Sequence, residues 1–549
     1  MPLQKNQVLT LRVERLSSDG SGVAHSPDGE AVFIPGAAPG DEARVRIVKD
    51  CKRYAFGILD EVLTPSPDRI PVDCSVAGPC GGCSLRHLDY AAELRAKQEN
   101  VADAFARIGG LDVPVLPIVG SPEVNRYRNK VQFPVGVDKS GKPCIGFYAG
   151  RTHRIVPCPD CKLQPSVLNE IGNALCAFFA QQGIRPYDEQ SGKGLVRHIF
   201  LRRGAHSGQI MVCLVCTRAK LPHAEQLCTA LRGQFPAIST ILLNVNAKST
   251  NVILGSENHI LYGPGYIEDT LCGVPVRLGP LSFYQVNTLA AERLYGVAAQ
   301  YAQLTPDDTL LDLYCGMGTI GLSMAEQCRE LIGVEIVPEA IESAKANAAR
   351  MGEAVAAKSR FFCADAGQAA TQLAAEGLHP DIVMLDPPRK GCDEATLSAV
   401  VRMAPHRVVY VSCNPATAAR DAAWLEKNGY HTEKVQPVDL FPRTKHCETV
   451  VLLSKGEIDS KKVRVEFSLE DMDMSGFQKG ATYEQIKAYV LEHTGLKVSS
   501  LYISQIKRKC GLDVGQNYNL SKKEDAKVPK CPPEKEAAIR DALKYFQMI

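Results

Sequence analysis

A cysteine at position 413 stands where a parallel sheet presents its reactive groups. Residues 408–411 are apolar and are typical of a buried strand. Asn414 and Pro415 follow at once and cannot continue that strand. Because open α/β sheets bind ligands at the carboxyl ends of their strands, Cys413 is a candidate nucleophile. A buried, inert thiol is the alternative for any single cysteine.

Two neighbouring segments favour the nucleophile. Residues 309–321 combine an apolar strand, a turn with two glycines and the start of a helix, and residues 381–389 form a second strand that runs into Asp-Pro-Pro-Arg. A strand over 331–335 ends in Glu335, where a ribose hydroxyl is usually bound, and a strand over 361–365 ends in Asp365, which could meet an adenine amine. This pattern suits a dinucleotide or S-adenosylmethionine. We favour the latter, because no feature of a hydride-transfer enzyme is nearby.

A second group of cysteines has the spacing of metal ligands. Cys74, Cys80 and Cys83 lie on a glycine-rich loop that allows the backbone to fold tightly around one centre. Cys158 and Cys161 are the candidates for a fourth ligand. Spacing alone does not separate zinc from an iron–sulfur cluster. Unliganded loop thiols are the remaining alternative.

Length and composition indicate a multidomain globular protein. A chain of 549 residues is too long for one core and predicts three or four domains. Its net charge of +2 lacks the overall positive charge that is typical of many nucleic-acid-binding proteins, so any RNA-binding surface must be a local basic patch. The amino terminus lacks the apolar run of a signal peptide, no segment is long and apolar enough for a membrane span, and 20 cysteines then indicate reduced thiols. We expect a cytoplasmic monomer.

The elements that must position these residues fall into four predicted domains. Residues 1–62 contain about five short strands, typical of an OB-like β-barrel, with Arg44 and Arg46 among the side chains that could contact phosphate. Residues 63–279 predict an α/β middle domain that carries the cysteine loop. Residues 280–454 alternate strand and helix as in a Rossmann-like, doubly wound parallel sheet. Residues 455–549 predict a small helical extension, with helices over 483–493 and 498–509 that resemble a helix-turn-helix unit or form a packing appendage.

One basic stretch lies between the two groups of cysteines. In a strand, Arg126, Arg128 and Lys130 would project from one face and form a row suited to a phosphate backbone. A solvated strand face is an equally good interpretation.

Four motifs together resemble the RNA (uracil-5-)-methyltransferase family. They are residues 282–287 (Ser-Phe-Tyr-Gln-Val-Asn), 386–391 (Asp-Pro-Pro-Arg-Lys-Gly), 412–415 (Ser-Cys-Asn-Pro) and 446–449 (His-Cys-Glu-Thr). The barrel resembles a TRAM domain, and with the Cys-Gly-Gly-Cys run it is similar to the 23S ribosomal RNA branch, whose members carry a [4Fe-4S] cluster. The match covers residues 5–454, and nothing carries over to the rest of the chain.

The resemblance implies a mechanism and a role for each matching residue. The enzyme would use S-adenosylmethionine to methylate carbon 5 of a flipped-out uridine in 23S ribosomal RNA. Cys413 would add to carbon 6 and Glu448 would remove the proton at carbon 5. The implied cofactor contacts are Gln285, Tyr314, Thr319, Glu335, Asp365 and Asp386. The implied cluster ligands are Cys74, Cys80, Cys83 and Cys161, the last preferred over Cys158 by its sequence context; Arg86 departs from the glutamine common in the family.

Three other functions remain open on the sequence. The same chemistry could act on a transfer RNA loop. A base amino-methyltransferase could use the Asp-Pro-Pro-Arg loop without a nucleophilic cysteine. A non-catalytic iron–sulfur protein could bind RNA without turnover.

Overall fold

The structure, a computed structural model, describes residues 3–150, 152–248, 251–456, 483–510, 531–545 and 548. The chain divides into two compact units, Met1–Asp459 and Ser460–Ile549. No helix in these described ranges combines the length and the apolar character needed to cross a membrane.

The first unit begins with a closed five-stranded barrel in the order β1-β2-β3-β5-β4, as predicted. Its strands are β1 (Val8–Leu16), β2 (Ser21–His25), β3 (Ala31–Pro35), β4 (Glu42–Asp50) and β5 (Tyr54–Thr64). Alternation in β4 buries Val45 and Ile47 completely inside the barrel. The outward Arg44 and Arg46 pair with Glu61 and Asp60 on the neighbouring strand, at 2.7 and 2.8 Å. These two arginines are therefore engaged within the barrel itself.

Three helices and a seven-stranded sheet follow the barrel. The helices are α1 (Tyr90–Asp103), which continues as a π-helical turn over Ala104–Gly109, α2 (Ser166–Gln181) and α3 (Ala224–Gln234). The strands are β6 (Lys130–Val137), β7 (Pro143–Tyr148), β8 (Ile155–Pro157), β9 (Val196–Arg203), β10 (Ile210–Cys216), β11 (Ile238–Val245) and β12 (Glu257–Tyr262), in the order β12-β11-β10-β9-β6-β7-β8. Every residue of β10 is buried, because this strand is covered on both faces.

The third part is a second seven-stranded sheet in the order β17-β16-β15-β18-β19-β21-β20. Its strands are β15 (Thr309–Leu313), β16 (Glu330–Glu335), β17 (Ser359–Cys363), β18 (Ile382–Leu385), β19 (Arg407–Ser412), β20 (Tyr430–Val438) and β21 (Glu448–Lys455). Its helices are α4 (Thr288–Ala302), α5 (Thr319–Met324), α6 (Pro338–Met351), α7 (Glu353–Lys358), α8 (Ala366–Ala375), α9 (Glu394–Met403) and α10 (Pro415–Lys427). Strands β15 to β19 are parallel, as predicted, whereas β21 pairs antiparallel with both β19 and β20.

A short hairpin precedes this sheet. Strands β13 (Ile267–Leu271) and β14 (Val274–Leu278) pair antiparallel, and their apolar side chains belong to the same core as α4 and β15. Within the described residues, two large apolar clusters fill the two faces of the sheet and leave the carboxyl ends of its strands as a polar edge.

The second unit contains α11 (Tyr483–Thr494), α12 (Ser500–Lys509) and α13 (Pro533–Tyr545). The first two helices confirm the helices predicted over 483–493 and 498–509. Ile486, Val490, Ile503, Ile506 and Ile539 form part of its small apolar core. The resemblance to a helix-turn-helix unit stays a prediction.

Candidate active site

Three neighbouring strands bring Asp386, Cys413 and Glu448 to one edge of the sheet. Asp386 follows β18 and Cys413 follows β19, two parallel strands whose last paired residues are Leu385 and Tyr410. Glu448 begins β21, which runs antiparallel to β19 and pairs Thr449 with Ser412. Reversal of β21 thus puts its first residue beside the last residues of β19.

A tight strand-to-helix junction holds Cys413. The Ser412 hydroxyl accepts a hydrogen bond from the Asn414 backbone N–H at 3.1 Å, and the Asn414 side chain accepts one from the Ala416 N–H at 3.2 Å. Pro415 then occupies the first turn of α10, where its missing N–H leaves no unsatisfied donor. Cys413 remains half-buried at this junction. Its predicted position, directly after a buried parallel strand, is confirmed.

Burial and two neighbouring carboxylates raise the pKa of the Cys413 thiol. The Arg389 guanidinium acts in the opposite direction, by its charge and by a hydrogen bond to the thiol. A thiolate is far more nucleophilic than a thiol. Arg389 is therefore the group at this edge that stabilises the reactive form of Cys413.

The two carboxyl groups are protonated more readily than in water. Burial raises the pKa of Glu448 to about 8, the charge of Asp386 adds to the effect, and Arg389 opposes it. Burial also raises the pKa of Asp386 to about 7. A glutamate with a pKa near the working pH can accept and release a proton, which is the requirement for a general base.

Arg389 is a residue of this site to which sequence reasoning gave no role, although it belongs to the Asp-Pro-Pro-Arg motif. Its loop is fastened to the start of α10, since the Arg389 carbonyl accepts hydrogen bonds from Asn414 Nδ2 at 3.0 Å and from Thr417 Oγ1 at 3.4 Å. The sequence did contain a signal for Arg389, because a basic side chain in a loop at the carboxyl edge of a parallel sheet lies where it can contact charged groups of the site.

The turn after β15 is shaped to accept a ligand. Tyr314, Gly316 and Gly318 have φ angles of +67°, +55° and +79°, which are left-handed and strained for the tyrosine. The Gly316 N–H donates to Glu335 Oε2 at 3.1 Å, and the Val337 N–H donates to Glu335 Oε1 at 3.0 Å. A Cβ at Gly316 would meet no atom within 4 Å, so this backbone is open to an approaching molecule.

Other predicted cofactor contacts surround this turn. The Thr319 hydroxyl lies 3.1 Å from that of Tyr295, and the Gln285 carbonyl accepts from Asn129 Nδ2 at 2.7 Å. Asp365 is the N-cap of α8, where its Oδ1 accepts from the N–H groups of Gly367 and Gln368. The predicted roles of these side chains in binding a cofactor stay predictions.

Asp312 is a further acidic group that sequence reasoning missed. It is fully buried within β15, where burial raises its pKa to about 8; the Gly321 N–H donates to its Oδ2 at 3.0 Å. Its Oδ1 has no hydrogen-bond partner among the described residues. An acid between Leu311 and Leu313 in an otherwise apolar strand was the available signal. An unpaired acceptor beside the open turn is consistent with a polar or cationic ligand there.

A cavity of about 700 Å³ opens at Cys413. One wall comes from the carboxyl edge of the second seven-stranded sheet, through Arg389 and Cys413, and another comes from the barrel, through Arg15 and Phe33. Arg389 and Lys445 line it, together with Arg15 and Arg107, which both pair with Asp103. Volume and charge suit a nucleotide and its phosphates.

A buried ion cluster holds the segment that leads to Glu448. Lys97 Nζ on α1 donates to Glu93 Oε1 at 2.7 Å and to Asp439 Oδ1 at 2.8 Å, and all three side chains are almost fully buried. The Arg443 N–H donates to Glu93 at 2.7 Å, and Tyr90 donates to Asp439 Oδ2 at 2.9 Å. Helix α1 therefore fixes the chain between β20 and β21.

The predicted cluster ligands approach one another. Burial raises the pKa of Cys80, with repulsion from Cys161 and Cys74 added; burial likewise raises that of Cys83, where Cys161 and Cys80 contribute. A hydrogen bond from Cys158 lowers the pKa of Cys161 to about 6. Within the described chain no three potential ligands are arranged at coordination distances. Burial favours the neutral thiols of Cys80 and Cys83, so a thiolate-bound centre on this donor set requires a positively charged metal that replaces their protons.

The unusual Arg86 is part of this region. It is buried, donates to Asp73 at 2.7 Å and to Asn125 at 3.1 Å, and hydrogen-bonds the Cys83 thiol. Arg86 therefore contacts the cysteine loop directly.

The predicted basic row is wrong in its geometry. Strand β6 begins only at Lys130, and Arg126 has a left-handed φ of +60°. Arg126 donates to Asp160 at 2.7 Å and to the carbonyls of Cys161 and Gln164. Arg126 thus holds the loop that contains Cys161 by hydrogen bonds and does not form an outward-facing row with Lys130.

Comparison with known proteins identifies the family. The sequence profile described as "tRNA (Uracil-5-)-methyltransferase" matches residues 89–456, and that of the TRAM domain matches residues 2–59. The chain belongs to the RNA (uracil-5-)-methyltransferase family. It is therefore an S-adenosylmethionine-dependent RNA methyltransferase with an amino-terminal TRAM barrel. This assignment favours uracil carbon-5 chemistry over a base amino-methyltransferase or a non-catalytic binding protein.

Similar proteins extend this result. An uncharacterized RNA methyltransferase of Halalkalibacterium halodurans is 44% identical over 82% of this chain and 98% of its own length, and one of Clostridium tetani is 41% identical over 83% and 98%. The crystal structure of Pyrococcus abyssi tRNA (uracil-54, C5)-methyltransferase in complex with S-adenosyl-L-homocysteine aligns with a TM-score of 0.65. That alignment has 26% identity and covers 81% of this methyltransferase and all of the Pyrococcus chain.

Proposed function

We propose that this methyltransferase makes 5-methyluridine in 23S ribosomal RNA, with Cys413 as nucleophile and Glu448 as base. The observation that carries the proposal is that Cys413 and Arg389 line one cavity and that Glu448 lies close enough to both for their charges to interact. Thiol, base and cation are the three groups that methylation of uracil at carbon 5 requires.

Carbon 5 of uracil is a weak nucleophile until a bond forms at carbon 6. The Cys413 thiolate, stabilised by Arg389, adds at carbon 6 and moves the ring electrons into an enolate. S-adenosylmethionine supplies the methyl group that carbon 5 takes up. Glu448 then accepts the proton from carbon 5, the carbon–sulfur bond breaks, and Cys413 leaves as a thiolate.

The groups proposed to bind the cofactor lie on the other side of Asp386. Glu335 is suited to a ribose, Asp365 to an adenine amine, and Tyr314 and Thr319 to the turn after β15. Gln285 precedes α4 and Asp386 separates this region from Glu448. The unpaired Oδ1 of Asp312 and the open backbone at Gly316 support a ligand there.

An iron–sulfur cluster on Cys74, Cys80, Cys83 and Cys161 is part of this proposal. Cys161 is the preferred fourth ligand, because the residues that follow it resemble the family's sequence context; its thiol shares a hydrogen bond with that of Cys158. The cluster would tie the loop before α1 to the loop after β8. We expect purified protein to contain iron and acid-labile sulfide, and Cys80→Ser to lose both while Cys363→Ser, a change at an exposed cysteine, keeps them. Equal iron in both variants would contradict these ligands.

The ribosomal substrate rests on the resemblance of the cysteine loop to the 23S branch. Transfer RNA is the second candidate, favoured by the name of the matching family, tRNA (Uracil-5-)-methyltransferase, and by the substrate in the name of the Pyrococcus enzyme. Mass-spectrometric mapping of 5-methyluridine in cells with and without the gene separates the two. Loss of marks from 23S RNA supports the proposal, and loss of a transfer RNA mark alone replaces the substrate.

A further inference from the structure

Three aromatic side chains form one patch on the outside of the barrel. Strands β3 and β5 pair in parallel, with Phe33 opposite Phe56 and Ala31 opposite Tyr54. The ring centroids of Phe33, Tyr54 and Phe56 lie 5.6 to 5.8 Å apart. Their neighbours Val32 and Ala55 point inward and are completely buried. The aromatic patch is therefore on the face that the barrel core does not use.

This patch keeps its aromatic surface accessible. Tyr54 is 40% exposed, and Phe33 and Phe56 are half-buried. Barrels of the OB type present aromatic rings on which nucleobases stack, and such stacking tolerates any base because every base has a π-face. An exposed cluster of rings on this kind of barrel has the chemistry of a base-binding surface.

Phe33 also connects the patch to the catalytic cavity. It lines the same cavity as Cys413, together with Val23 and His25 of the barrel. The cavity of about 700 Å³ has room for more than one uracil ring. Lys445 and Arg107 line the cavity as well and suit the phosphates of a strand that passes from the barrel to Cys413.

We propose that the patch of Phe33, Tyr54 and Phe56 stacks a nucleobase that neighbours the target uridine. The proposal rests on the proposed function and adds a feature of the substrate: the flanking nucleotide must also be unstacked from its own strand. Extruding the target removes a stacking partner from its neighbour. Rings of the patch replace that partner, so the barrel selects loops and single strands over continuous duplex.

The probe is a fluorescein-labelled oligouridine, and its binding to the full-length chain is measured by anisotropy without S-adenosylmethionine. Phe33→Leu keeps an apolar side chain but removes the π-face, and we expect affinity to fall about tenfold. Tyr54→Leu, at the more exposed ring, should weaken binding in the same direction. Ile58→Ala is the control, because Ile58 is an exposed apolar residue of the same strand but has no ring on which a base could stack.

A second RNA identifies the contact as stacking. It carries one uridine between abasic sites, so that flanking bases are absent and the backbone is kept. Wild-type protein should bind it about tenfold more weakly than oligouridine, and Phe33→Leu should show no further loss. Unchanged affinity of both leucine variants for oligouridine would overturn the proposal. This binding experiment measures no turnover, so its result does not depend on whether Cys413 and Glu448 act as proposed. Cys413 or Glu448 variants that lose methylation but bind oligouridine normally would still support stacking on the patch.

Discussion

At the scale of single residues, the proposed role of Glu448 as base predicts that its protonation state decides turnover. Replacing Glu448 by Gln removes the proton acceptor but leaves Cys413 able to add to the ring. We expect turnover to fall by about 10²- to 10⁴-fold and a methylated protein–RNA adduct to accumulate. Denaturing electrophoresis and mass spectrometry detect the adduct. Glu433→Gln, at an exposed glutamate of β20, should behave as wild type; a Glu448→Gln enzyme with normal turnover would refute the base assignment.

Arg389 sets the pH range over which the site works. It lowers the pKa of both Cys413 and Glu448, each of which is raised by burial. Both groups must lose a proton before they act, so activity should rise as pH passes about 8, the pKa of Glu448, and should go on rising at higher pH, because the pKa of the Cys413 thiol is raised above its ordinary value of 9.0. Arg389→Gln should move this rise to higher pH, and a displacement of about one pH unit should cost about tenfold in activity on the low-pH side. A pH–rate profile that is the same in the variant and the wild type would show that Arg389 does not act on these groups.

Glu448 also affects stability in a pH-dependent way. Its folded pKa of about 8 lies above the ordinary value of 4.5, so the folded state binds the proton more tightly. Stability should therefore decrease as pH rises between these two values, because over this range the glutamate ionises in the unfolded chain but stays protonated in the folded one. Glu448→Gln removes this penalty and should stabilise the protein by a few kcal/mol at about pH 9 but hardly at about pH 5. Denaturant unfolding at both pH values measures the difference; an equal effect at both would contradict a buried, titrating Glu448.

At the scale of elements, α1 positions the segment before β21 through Lys97. Lys97→Met leaves the carboxylates of Glu93 and Asp439 buried without their cation. We expect a loss of about 3–5 kcal/mol in the free energy of unfolding. Lys345→Met is the control, because Lys345 pairs with Glu342 on exposed α6 and such pairs contribute about 1 kcal/mol or less. Similar losses for the two variants in denaturant unfolding would contradict the role of the buried cluster.

The elements also show what the sequence could predict. Cys413 and Asp386 were placed correctly at the sheet edge because apolar strands followed by Pro-containing turns mark the carboxyl ends of parallel strands. The Lys97 cluster was not predictable, since Lys97 and Asp439 are 342 positions apart and only tertiary packing brings them together. The basic row failed because Arg126 adopts a left-handed conformation that ends any strand pattern. Asp365 gave no local sign that one of its oxygens caps α8.

At the scale of the whole molecule, the catalytic cavity joins two domains. Its walls come from the TRAM barrel and from the catalytic sheet, so the RNA-binding module contributes directly to the environment of Cys413. Neither domain alone would present the aromatic patch and the thiol to one RNA strand. This arrangement explains why residues at both ends of the first unit belong to one site.

The most direct test of the central claim uses RNA that contains 5-fluorouridine. Fluorine at carbon 5 cannot be removed by a base as a proton is, so the step assigned to Glu448 is blocked after Cys413 has added and the methyl group has been transferred. We expect digestion of the complex to yield one peptide, containing Cys413, joined to a methylated 5-fluorouridine. Its absence, or attachment through another cysteine, would contradict the account.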